Sequence, residues 1–179
     1  MKKLFLAITI VTVSLTASAQ KGNNQIGVGV DLGLPTSDFG DAAKFGFGGY
    51  LKGLYGIGSA GQITLTSGYT TYSAKDEVLT GSGADKIKYG IIPILAGYRH
   101  NFDGFYAEPQ LGYSIFRAKM EGGGMSVSNS EGMFTWAVGL GYAMSGFDAG
   151  VRYQSGSKDG STIAVVGIHI GYNFSLGGK

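Results

Sequence analysis

The chain has 179 residues, with 14 Lys+Arg against 12 Asp+Glu, 33 Gly, 3 Pro and no Cys. Without a thiol, disulfides, thiolate metal sites and a lipid-anchored lipoprotein are excluded. With 10 Phe, 11 Tyr and 15% charged residues, the composition is too aromatic for a disordered chain and too glycine-rich for a helical one.

The first predicted element is an export signal over residues 1–19: Lys2 and Lys3, an apolar run from Leu4 to Leu15, then Thr16-Ala17-Ser18-Ala19. The run is too short for a spanning helix, which needs roughly 20 apolar residues. Cleavage between Ala19 and Gln20 leaves residues 20–179 as one domain. Loss of Lys2 and Lys3 brings Lys+Arg down to 12, equal to the 12 Asp+Glu. The basic charge therefore belongs to the signal, and nucleic-acid binding loses its electrostatic basis.

The mature chain then shows eight segments in which apolar residues alternate with small or polar ones, the pattern of strands with two unlike faces. The apolar sets begin with Ile26, Val28, Val30, Leu32 and Leu34, followed by Phe45, Phe47 and Leu51, then Ile63, Leu65 and Tyr69. Next come Ile92, Ile94, Ala96 and Tyr98, and the set Phe105, Ala107, Pro109, Leu111, Tyr113 and Ile115. Phe134, Trp136, Val138, Leu140, Tyr142 and Met144 precede Phe147, Ala149, Val151 and Tyr153. The last set is Val166, Ile168, Ile170, Tyr172, Phe174 and Leu176.

Short connections at Gly58–Gly61, Asn101–Gly104 and Ser145-Gly146 alternate with longer ones at Pro35–Ala43, Ala74–Asp85, Glu121–Glu131 and Gly156–Gly160. Membrane barrels sort their turns in this way, short on the periplasmic side and long outside. The rival fold, a soluble lipocalin-like barrel, would place its large apolar residues inside and a polar face outside. Here the second face is mostly glycine, alanine and a few charges, which suits a narrow interior. The expected fold is therefore an all-β, eight-stranded antiparallel up-and-down transmembrane barrel. Aromatic residues fall toward both strand ends, as girdles at the two membrane interfaces would.

Inside that barrel the alternation places a polar network of Asp31, Lys52, Arg99, Glu108, Asp148, Arg152 and His169, with Gln154 and Asn173. Counting from the strand ends sets Asp31 level with Lys52, Arg99 diagonal to Glu108 and Asp148 near His169. The expected role is a salt-bridge network filling the lumen, since buried charges need partners. A gate passing water, ions or small apolar solutes is the alternative reading. A lipid-modifying outer-membrane enzyme, the third reading, needs a nucleophile beside its base, and the candidates Ser155 and Ser161 fall at the opposite end from Asp148. Neither a catalytic site nor a cofactor is expected. His100 and His169 do not stand at ligand spacing, so no metal site is expected either.

Five Gly-Tyr pairs, at Gly68, Gly97, Gly112, Gly141 and Gly171, put glycine inward and tyrosine outward, whereas Gly49-Tyr50 has the opposite phase. At the carboxyl end, His169-x-Gly171-x-x-Phe174-x-Leu176 resembles the assembly signal of the small outer-membrane β-barrel family of OmpX, OmpA and OmpW type, also called porin-family proteins. Ile92-Pro93-Ile94-Leu95-Ala96-Gly97-Tyr98 is similar to the fourth strand of such barrels from Bacteroidetes-type bacteria. The resemblance implies a Gram-negative outer membrane, recognition by the barrel-assembly machinery, and contact with outer-membrane lipid and lipopolysaccharide. It also implies a structural or surface-interaction role through four extracellular loops.

Overall fold

The computed structural model describes residues 24–82, 84–158 and 160–176. The signal, its cleavage point at Ala19-Gln20 and the last three residues lie outside the described residues. Eight strands run β1 (Gln25–Thr36), β2 (Ala43–Ile57), β3 (Gly61–Ala74), β4 (Lys86–Phe102), β5 (Phe105–Gly122), β6 (Met125–Met144), β7 (Phe147–Lys158) and β8 (Ser161–Ser175). Each pairs antiparallel with the next, and β1 pairs with β8 from Gln25↔Ser175 to Thr36↔Ala164, which closes the barrel. No edge is left, so every ladder hydrogen bond has a partner strand. That condition lets strands cross a bilayer.

Alternation decides which face each residue takes. Ile26, Val30, Leu65, Ile94, Leu111, Val138, Leu140 and Ile170 are exposed on the outer wall, while Asp31, Lys52, Arg99, Glu108 and Asp148 are buried. A water-soluble barrel has the reverse arrangement. Rings bracket the apolar wall at both ends. Phe105–Tyr142 and Phe147–Tyr172 pair near the tight turns, and Tyr113–Phe134 and Trp136–Tyr153 pair at the other end.

Tight turns mark one end of the barrel. Asp103-Gly104 and Ser145-Gly146 both have two positive φ values, 54° and 95°, then 52° and 90°. This is the geometry of two-residue hairpins whose twist matches the strands. The opposite end carries two short helices, Ser37–Ala42 and Asp76–Ser82.

Two connections expected to be open loops are largely strand. β5 and β6 continue to a turn at Gly123-Gly124, with φ of 58° and 78°, and Gly122 still pairs with Met125. β7 and β8 likewise stay paired to Lys158↔Ser161. Glycine supplies the two left-handed positions, and the alternating Met125-Ser126-Val127-Ser128 keeps pairing outward. β6 spans 20 residues, twice the roughly 10 that cross the hydrocarbon layer, so this hairpin stands well clear of the barrel wall.

Candidate functional site in the barrel lumen

An eight-stranded barrel has room inside for side chains only, so the lumen is a packed site. Glu108 on β5 lies at its centre. Its Oε2 accepts from Lys52 Nζ at 2.9 Å and from Arg99 Nη2 at 2.9 Å, and its Oε1 from Thr64 Oγ1 at 2.8 Å and Gln110 Nε2 at 2.9 Å. Arg99 reaches on to Asp148 Oδ2 at 2.8 Å, and its guanidinium lies over the Tyr106 ring at 3.6 Å. Asp148 also accepts from Tyr106 Oη at 2.6 Å and Asn173 Nδ2 at 2.9 Å, and lies 3.3 Å from His169 Nε2. A separate pair, Arg152–Asp31 at 3.0 Å, lies toward the helical end.

Three carboxylates thus face three basic side chains, all within the barrel. Hydrogen bonds fill much of the carboxylates' remaining capacity. This is what makes buried ions tolerable where an unpaired one costs several kcal/mol.

Toward the helical end the packing turns apolar. Phe39, from the helix Ser37–Ala42, drops onto Tyr72, Tyr89 and Phe116 with ring centroids 5.2, 5.6 and 5.7 Å away. Ile91 and Val165 complete this plug. Between the plug and the Arg152–Asp31 pair lies a cavity of about 20 Å³, room for one water, and a pocket of about 250 Å³ opens at the tight-turn end beside Arg99 and Asn173. Asp31 Oδ1, Tyr50 Oη, His169 Nδ1 and Asn173 Oδ1 are buried without a protein partner.

The sequence model of the outer membrane protein β-barrel domain matches residues 5–175. The chain belongs to this outer-membrane family. Among solved structures, Ail of Yersinia pestis superposes with a TM-score of 0.65 at 18% identity, over 87% of this chain and 100% of Ail. The N-terminal barrel of Pseudomonas aeruginosa OprF gives 0.62 at 15%, over 86% and 100%. Neisserial surface protein A gives 0.56 at 18%, over 86% and 97%. At such identity these likenesses bear on the fold. No curated protein matches the chain. Its location is the outer membrane.

Within this outer-membrane barrel, the structure gathers Lys52, Arg99, Glu108, Asp148 and His169 into one network and sets Asp31 with Arg152 apart. Asp31 is not level with Lys52: Lys52 pairs across from Gly27, and Asp31 across from Gly48. The reason is that Lys52 finds its partner across the lumen on β5, a contact that strand pairing does not reveal. Ser155 stands beside Trp136, seven residues along β7 from Asp148, so this serine does not join the His169–Asp148 pair, whose hydroxyl neighbour is Tyr106, with Oη 2.6 Å from Asp148 Oδ1 and 2.8 Å from His169 Nε2. The assembly-signal residues divide by face: His169 is buried, and Phe174 and Leu176 are exposed.

Sequence reading missed Tyr106, Tyr50 and Phe39. Alternation already placed Tyr106 inward, between the outward Phe105 and Ala107, and Gly141 opposite it is the matching space. Tyr50 explains the odd Gly-Tyr pair. It points inward against His169 at 5.8 Å, and Gly29, Gly68 and Gly171 have no Cβ to collide with it. Phe39 lies in a helix, where strand periodicity carries no signal.

Proposed function

We propose that this barrel is a non-conducting, non-catalytic outer-membrane scaffold that works through its extracellular end, the end bearing the helices and the long β5–β6 hairpin. The observation that carries the reading is the doubly obstructed lumen: a charge-balanced network at mid-barrel and an aromatic plug around Phe39 above it. Function is then displaced to the segments that stand clear of the wall, where binding surfaces on rigid scaffolds are usually found. The projecting hairpin offers Met125 and Val127, exposed at 75% and 69%, beyond the membrane girdle. Ail, a barrel of the same fold, has been solved with the heparin analogue sucrose octasulfate, which is a property of that protein.

The test is exchange of the outer segments. Cells carrying a barrel in which residues 37–42, 76–82 and 119–128 are replaced by short turns should keep a folded, membrane-inserted barrel and lose the surface phenotype caused by deleting the protein. An unchanged phenotype would contradict the proposal.

A narrow water or ion path is the second reading, favoured by the orphaned Asp31, His169 and Asn173 atoms, which call for internal water. We further infer that the His169-x-Gly171-x-x-Phe174-x-Leu176 strand is the segment read by the assembly machinery. Phe174 is exposed on the outer wall next to Tyr172, where a partner can reach it before closure. Phe174→Ala should slow insertion in cells without altering the stability of barrels that do insert.

A further inference from the structure

The outer wall of β4, β5 and β6 changes character above the girdle. Strand register stacks outward-facing residues in rungs, and the rung Ile94–Tyr113–Phe134 is followed by Ile92–Ile115–Gly132. The next rung is Gly90–Arg117–Ser130, then Lys88–Lys119–Ser128, then Lys86–Glu121–Ser126. Each rung adds about 7 Å along the strand, so the cations begin where the headgroup layer succeeds the hydrocarbon.

Four cations against the single carboxylate of Glu121 are therefore gathered on one face. Lys119 is bonded to Glu121, whereas Lys86, Lys88 and Arg117 have no ion pair among the described residues. Lys88 stands directly opposite Lys119. Like charges opposed across a ladder repel, an arrangement relieved when an anion sits between them. Hydroxyls surround the group. Ser128 and Ser130 flank it on β6, and Ser73 pairs across from Lys88 on β3. Around the rest of this end, the outward positions Leu34, Phe45 and Ser157 are uncharged, and the exposed Lys44 is paired with Asp76. The cluster of cations faces one sector of the membrane.

We propose that Lys86, Lys88, Arg117 and Lys119 form a docking site on the barrel wall for the phosphate groups of lipopolysaccharide in the outer leaflet. The occupant follows from charge and height: the cations lie along the wall just past the aromatic girdle, where lipid phosphates lie. Arg and Lys framed by hydroxyl donors are the chemistry of phosphate recognition. The site rests on the reading that the hairpin end is extracellular.

The test uses the refolded mature protein in phospholipid bilayers carrying either phosphorylated lipopolysaccharide or the same lipid with its phosphates removed. Binding should weaken about fivefold for each cation neutralised, in line with the value of a basic residue near an anionic surface. The variant K86Q/K88Q/R117Q/K119Q should bind phosphorylated lipid no better than wild type binds the dephosphorylated lipid. The control K44Q/K158Q, at the same end but off this face, should bind as wild type does. Millimolar inorganic phosphate should not displace the lipid, and displacement would mean that a free anion is the ligand and overturn the proposal. Equal binding by the fourfold variant, equal binding of dephosphorylated lipid, or an equal loss in the control would each overturn it. Should the fourfold variant fail to fold, K88Q and R117Q alone decide by the same fivefold criterion. Conductance in the wild-type barrel would refute the scaffold reading and leave this site standing. Protection of the hairpin from protease added to intact cells would refute both.

Discussion

Glu108 accepts from Lys52, Thr64 and Arg99, so one carboxylate ties β5 to β2, β3 and β4 across the lumen. Glu108→Gln keeps the volume and removes the charge, which leaves Lys52 and Arg99 with Asp148 as the remaining anion in their network. Breaking a buried pair by removing one partner costs about 3–5 kcal/mol. Urea titration of the variant refolded in bilayers should show a loss of that size, and a loss under about 1 kcal/mol would mean the network is dispensable. Space is as tightly set as charge. The three atoms nearest a Cβ at Gly33 would all belong to the Tyr72 ring and its hydroxyl. Gly33→Ala should destabilise by about 1–3 kcal/mol, the usual cost of overpacking. In a Tyr72→Leu background the same change should cost much less, a coupling measured by a double-mutant cycle.

At the scale of elements, the β5–β6 hairpin depends on Gly123 and Gly124, whose φ values of 58° and 78° suit glycine. Replacing both by alanine strains each residue by about 1–2 kcal/mol. Amide exchange should speed up from Lys119 to Ser128 while the wall from Phe134 to Met144 stays protected, and loosening of the wall would show that hairpin and barrel are one cooperative unit. The Gly122-Gly123-Gly124 run was the available sign that this connection is a hairpin, but the polar stretch Ser128 to Glu131 reads equally well as an open loop. The eight walls were legible because lipid demands strict alternation over long segments. The inward side of Arg99, Glu108 and Asp148 follows from the same period. Which of them meet does not, because Lys52 to Glu108 and Arg99 to Asp148 skip over intervening strands. Phe39 was illegible for a different reason. Its helix Ser37–Ala42 is six residues long and begins at Ser37 with φ of 53°, a bend that local periodicity cannot show.

For the whole molecule, a polar lumen and an apolar wall place the ionisable side chains of the mid-barrel away from lipid, where an Arg or Lys would cost about 2–4 kcal/mol. The same packing obstructs the axis, with cavities of about 20 and 250 Å³ on either side of the ion network. A scaffold role requires that obstruction to hold in a membrane. Single-channel recording of the refolded protein in planar bilayers tests it most directly. A flat baseline at both polarities, from protein shown to be inserted and folded, is the predicted result. Steady conductance steps from the wild-type barrel would contradict it.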